Sequence, residues 1–206
     1  MKKIIIIGVI VLVVIIISVI LYSSMAGGAS VAQFEDIKEP KINNKSSQKM
    51  LVIKGVGLTN FKNSFGDLFG AYYKIKNMPK DFKMQTPKSR WFADVNTSDD
   101  TWAFSAGVAI PDSINEVPQV KLKDGITLEI ETWEYGEVAE VLHIGGYDKE
   151  TPTIEKLINF IKQSGYEIAG PHEEEYVKGP MPFIPSDPNK YLTIIRYQVK
   201  KSEVKN

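Results

Sequence analysis

The chain has 206 residues, 25 basic and 25 acidic side chains, two histidines, no cysteine and an apolar fraction of 43%. That length allows one domain or two small ones. The missing cysteine excludes disulfides, thiolate nucleophiles and zinc–thiolate sites, and a formal net charge of zero gives no electrostatic reason to bind nucleic acid.

From Ile4 to Leu21 every residue is apolar except Gly8 and Ser18. Such a run makes about 27 Å of helix, enough to cross most of a bilayer's hydrocarbon core, and a helix satisfies its own backbone polar groups in lipid. Residues 1–22 therefore read as a membrane anchor. A cleaved signal peptide is the alternative, with a small-residue site at Ser24-Met25-Ala26 or Gly27-Gly28-Ala29, but the run exceeds the usual apolar core of such peptides. Lys2 and Lys3 precede the span, so the N-terminus is expected in the cytoplasm and the rest outside it. Without those two lysines, 23 basic residues face 25 acidic ones, so the exported part is slightly acidic.

Residues 23–49 are mostly small and polar and read as a flexible tether, with the folded part over 50–206. "MLVIKGVG" predicts a strand. Phe65, Leu68, Phe69 and Tyr72 then predict a helix with Asn63 or Ser64 as N-cap, followed by strands in "RWFADV" and "TWAFSAGVAI". Pro111 and Pro118 bracket a linker, and "ITLEIETWEY" predicts an extra strand. Next come "EVAEVLHIGG", a helix on Ile154, Leu157, Ile158 and Ile161 with Thr151 as N-cap and Gly165 past its end, and strands in "EEEYVK" and "YLTIIRYQVK". The two helical patterns superimpose with an offset of 89 residues, which also carries Trp102 onto Tyr191. The expectation is an α+β fold of duplicated βαββ units, about 50–112 and 126–200, related by a pseudo-twofold axis with a cleft between them.

Several catalytic constellations are absent. Two histidines make no zinc cluster, Ser105 in "AFSAG" lacks the first glycine of a nucleophile elbow, "GVGLTN" lacks the third glycine of a dinucleotide fingerprint, and no P-loop occurs. What remains is aromatic residues and carboxylates on shared strand faces. With period two, Trp133 and Tyr135 lie on the side of Glu129 and Glu131, opposite Ile126, Leu128 and Ile130, as a pocket wall requires. In "HEEEYVKG", Glu174 and Tyr176 share one face. The same residues also fit a solvated strand end and a tryptophan packed under a loop, and His143 fits a hydrogen-bonded structural histidine.

Taken together, "VAEVLHIGGYDK", the following helix, "EEYVKG" and "PSDPNKYLTIIRYQV" resemble the gyrase-inhibitor-like (GyrI-like) small-molecule-binding family, the effector-binding domain of many bacterial transcription activators. The signature pieces are H-x-G-x-Y (His143, Gly145, Tyr147), S-G-Y-E (Ser164 to Glu167) and E-x-Y (Glu174, Tyr176), over roughly 126–200. The resemblance implies a ligand cleft between two repeats, lined by aromatic residues and holding Glu174 with Tyr176 beside it. Some family members resemble hydrolases that use a glutamate and aromatic residues on small electrophiles. Family regulators carry a DNA-binding module ahead of this domain; here a span and tether stand in that place, so direct DNA contact is not expected.

The expected protein is a membrane-anchored, extracytoplasmic module that binds a small aromatic, amphipathic or cationic molecule. Trp133, Tyr135 and Tyr147 would supply apolar walls, Glu174 the charge, and Trp91 and Trp102 contributions from the first half. A hydrolase with Glu174 as general base is the alternative, and a structural or protein-interaction module the third reading. No cofactor or metal is expected, and any inward signal would pass through a membrane protein partner.

Overall fold

The computed structural model describes residues 29–92, 101–180 and 186–203. The expected anchor, Ile4 to Leu21, lies outside the described residues; among these, no helix is long and apolar enough to cross a membrane. The chain divides into two units, Met1–Glu35 and Asp36–Asn206, and among the described residues the second holds every strand and both α-helices.

The elements are β1 (Lys41–Lys45), β2 (Gln48–Val56), α1 (Leu58–Tyr72), β3 (Lys88–Phe92), β4 (Ala103–Ala109), β5 (Ile126–Trp133), β6 (Gly136–Ile144), α2 (Thr151–Gln163), β7 (Tyr166–Lys178) and β8 (Leu192–Lys201). All eight strands join one antiparallel sheet in the order β1-β6-β8-β7-β3-β4-β2-β5. Strand, helix, strand, strand occurs twice, as β2-α1-β3-β4 and β6-α2-β7-β8. The two sets meet at β3 and β7, with β5 and β1 on the outer edges.

Three local differences from the sequence expectation have physical causes. Residues 41–45, polar enough to read as tether, form edge strand β1, a place where one polar face is no penalty. Helix α1 begins at Leu58, not near Asn63, because Gly57 takes a φ of 87° and starts the helix early. Ser64 is then buried inside it, its hydroxyl donating to the Phe61 carbonyl at 2.8 Å. In α2 the N-cap is Glu150 rather than Thr151, and its side chain makes no capping bond.

The registers sort the side chains onto two faces. Leu51 and Ile53 of β2 face the same way as Phe104, Ala106 and Val108 of β4, and α1 covers them with Leu68 and Tyr72. Ile126, Leu128 and Ile130 of β5 join that core, as their alternation predicts. Farther along the same face, Leu157 and Ile161 of α2 cover Ala139, Val141, Ile195 and Val199. Both helices thus lie on one face of the sheet.

The other face is also shielded, because the sheet curls. Strands β5 and β6 stand at nearly opposite ends of the order, yet only Glu134 and Tyr135 connect them. Three Cα steps reach about 11 Å at most, so the two ends of the sheet must approach one another. The inner face of this barrel-like curl holds Met50, Val52, Ala109, Trp133, Tyr135 and Val138. It also holds the charged groups Lys88, Glu140, Glu173 and Arg196, each at most 6% exposed.

Candidate functional site

Strand β7 crosses the junction between the two sets, and its alternation puts His172, Glu174 and Tyr176 on the helix-bearing face. Opposite them stand Trp91 and Ser89 of β3 on one side and Tyr197, Ile195 and Thr193 of β8 on the other. Apart from Ile195, the groups at this junction are polar or aromatic.

Glu174 is the centre. One carboxylate oxygen meets His172 Nε2 at 2.9 Å, and the other accepts from the Tyr176 hydroxyl at 2.6 Å. Tyr176 accepts in turn from Ser89 at 2.8 Å, while His172 Nδ1 lies 2.9 Å from the Tyr197 hydroxyl. Burial pushes the Glu174 carboxyl up, but the hydrogen bond and charge of His172, with Tyr176 and Trp91 assisting, outweigh it and hold the group below its ordinary range. Its side chain keeps 13% exposure. Tyr176, buried beside that charge, is driven well above the ordinary phenol range.

Rings from both halves surround the carboxylate. Phe65 and Phe61 of α1 stand 5.9 and 6.4 Å from the Tyr176 ring, and Phe61 packs on Trp91 at 4.3 Å. Tyr147 meets Tyr176 and Tyr191, each at 5.6 Å. Tyr147 is delivered by the Gly145-Gly146 turn: Gly145 has a φ of 144°, and a Cβ on Gly146 would fall 2.6 Å from Asp148 Oδ1. His143 holds this turn, its ring nitrogens 3.2 Å from the Gly146 carbonyl and 2.9 Å from the Thr153 hydroxyl. It is a structural histidine here.

Glu150, at the start of α2, is buried beside the Glu174 charge. Burial first, then the Glu174 charge, pushes Glu150 up to about 8. Three buried side-chain atoms at this junction lack a hydrogen-bond partner: Trp91 Nε1, Glu150 Oε1 and Thr193 Oγ1. Trp91 Nε1 is near enough to Glu174 to favour its ionised form without good hydrogen-bond geometry.

Of the expected site residues, the structure brings together Trp91, Tyr147, Glu174 and Tyr176. Trp102 stands one ring behind, edge-on to Trp91 at 6.2 Å. Trp133 and Tyr135 are not part of this group. They lie on the inner face of the curl, 2% and 3% exposed, with the Arg90 guanidinium 4.2 and 5.0 Å over their rings. The alternation had placed them opposite the aliphatic row, and so they are, but the aromatic cluster around Glu174 is on the aliphatic side. Trp133 does border a cavity of about 300 Å³ at the end of the curl, where Lys54 is paired with Glu129 and Glu131, and Arg90 with Glu173. Glu150, Phe61, His172, Tyr191 and Thr193 were not anticipated. Phe61 extends the α1 stripe one turn upstream of Phe65, a visible signal; Glu150 carries none, since one more acid beside Asp148 is unremarkable in sequence.

An α+β domain whose helix-bearing sheet face gathers aromatic rings about a carboxylate belongs to the small-molecule-binding class. The chain is a member of the GyrI-like family: the GyrI-like small molecule binding domain matches residues 38–200. Among solved structures it is similar to an uncharacterized conserved protein from Listeria innocua at 18% identity and a TM-score of 0.66, covering 80% of this chain and 93% of that one. A hydrolase from Listeria innocua matches at 17% identity and 0.62, covering 80% and 93%. The EcmrR C-terminal domain matches at 12% and 0.58, covering 79% and 98%. At such identities the likeness is one of fold. No curated protein matches the chain.

Proposed function

We propose that the domain binds a small cationic molecule with aromatic or amphipathic character between α1 and α2, its charge against Glu174. The supporting observation is a mostly buried carboxylate held ionised inside a ring of Trp91, Phe61, Phe65, Tyr147 and Tyr176. Aromatic faces and a desolvated carboxylate together favour a quaternary or protonated amine over a neutral compound of the same shape. The run from Ile4 to Leu21 supports a membrane-anchored domain outside the cytoplasm, drawing its ligand from there or from the membrane surface, with any inward signal carried by a membrane protein partner.

A hydrolase acting on small electrophiles is the second reading. It is favoured by one feature: two buried carboxyls within each other's electrostatic influence, one held ionised and one held protonated, are the arrangement in which one activates water and the other donates a proton.

One experiment separates them. The full chain and Glu174→Gln are incubated with a library of cationic, aromatic and electrophilic compounds, following melting temperature and compound mass. Cations that stabilise the wild type and come back intact, with at least about tenfold weaker binding in Glu174→Gln, support the binding module. Water added to a compound only when Glu174 is present makes the protein an enzyme. Stabilisation by neither protein's ligands returns the cleft to a packed protein-interaction module.

A further inference from the structure

Glu150 is the group in the cleft that simple cation binding does not require. It sits at the N-cap of α2, a position whose side chain can accept from the helix N–H groups, yet it makes no such bond. Instead it is 5% exposed, buried within the influence of the Glu174 charge, with Oε1 unpartnered among two further unpartnered atoms, Trp91 Nε1 and Thr193 Oγ1. Burying a carboxyl this way is costly unless it keeps its proton or gains a cation.

We propose that Glu150 sets the charge class of ligand that the cleft accepts: with its proton the Glu150–Glu174 pair is a single negative charge suited to a monocation, and without it the pair takes a dication. This rests on the reading of the cleft as a cation site. When a dication binds, the proton leaves the Glu150 carboxyl for solvent and both carboxylates face the ligand. When a monocation binds, no proton moves.

The titratable groups around Glu150 are Glu174, His172 and Tyr176 on β7, Tyr197 on β8 with Tyr191 just before it, His143 on β6, and Tyr147 on its own turn. The phenols of Tyr147, Tyr176 and Tyr197 are all raised above their ordinary range by burial and neighbouring carboxylates, so they stay neutral near pH 7. His172 lies against Glu174 in the wild type and in Glu150→Gln alike, so comparing the two proteins isolates the part that Glu150 contributes.

The test uses the full chain and Glu150→Gln with two probes that carry no proton of their own: 1,1-dimethylpiperidinium as monocation and 1,1,4,4-tetramethylpiperazinediium as dication of similar ring size. Carbon-detected carboxyl titration of the wild type comes first, and a Glu150 side chain ionised at pH 7 overturns the proposal without any ligand. The expected result is a dication-to-monocation affinity ratio that rises about tenfold per pH unit from pH 6 to 7.5, because one proton is released. Calorimetry in buffers of different ionisation enthalpy then counts one proton per dication and none per monocation. In Glu150→Gln the ratio is flat and the dication gains nothing at high pH. A ratio independent of pH in the wild type, or unchanged in the variant, overturns the role of Glu150 while leaving the cation site standing. If neither probe binds at any pH, the cation reading of Glu174 fails and this inference with it.

Discussion

Arg196 is the largest fully buried side chain, 1% exposed on the inner face of the curled sheet. Its guanidinium donates to Glu140 at 2.8 Å, Glu173 at 2.7 Å and Glu175 at 3.2 Å. Glu173 is further tied to Arg90 at 2.8 Å and to the Tyr135 hydroxyl at 3.1 Å, and Lys88 lies 3.9 Å from Glu175. Three cations thus meet three carboxylates, and the network leaves no charge over for a ligand. It follows that Arg196→Met, which fits the volume, should act on stability and not on the cleft. It leaves Glu140 without its cation and takes one of two cations from Glu173 and from Glu175, a change that costs about 3–5 kcal/mol when one partner of a buried pair is removed. Urea unfolding measures the loss; a cost under about 1 kcal/mol would mean that water reaches the network. At this scale the sequence was only half legible. Period two assigned Trp133, Tyr135, Glu174 and Tyr176 to their correct faces within each strand. It could not say that the faces of β5 and β7 bearing them are opposite ones, since that depends on a register running through β2, β4 and β3.

Strands and helices were read more securely than single residues, because each is announced by several residues at once. Among the described residues, both α-helices and seven of the eight strands have counterparts in the apolar patterns. The exception is β1, whose "KINNK" has a single apolar residue, and β7 is longer than "EEEYVK" because a bulge between Ile168 and His172 lets the strand run through Gly170-Pro171. Strand β1 is nevertheless structural. It covers the edge of β6 over five residue pairs, packs Ile42 against the core under α2, and Asn43 donates to Glu140 at 2.5 Å, bracing a member of the Arg196 network. Replacing Lys41–Lys45 with glycines should therefore destabilise the domain by about 3 kcal/mol or more, from backbone entropy and the loss of Ile42. It should also expose β6 as a pairing edge, seen as concentration-dependent association in sedimentation. A melting temperature unchanged by this replacement would return residues 41–45 to the tether they resemble in composition.

For the molecule as a whole, the cleft and the interior impose opposite demands on pH. Glu150 is raised in the folded state, so its contribution is fully present below the ordinary carboxylate pKa of 4.5 and is lost as pH rises through about 8. Glu174 and Glu175 are lowered in spite of burial, the first by His172 and the second by Lys88 and Arg196. Their contribution is present above 4.5 and is lost as pH falls through their lower folded values. Stability should therefore peak between these windows, at mildly acidic pH, and fall on either side for different reasons. Each pH unit over which one proton is released is worth about 1.4 kcal/mol, and for a domain of this size 1 kcal/mol moves the melting temperature by about 3 °C. The full chain should thus melt several degrees lower at pH 8 than at pH 5.5. Glu150→Gln removes the group responsible for the alkaline limb and should flatten it, while leaving the acid limb in place. Scanning calorimetry from pH 3 to 9 on both proteins decides the matter. A wild-type curve flat above pH 5.5 would mean that Glu150 is solvated and ionised throughout, and that the pair of carboxyls in the cleft carries two charges at rest.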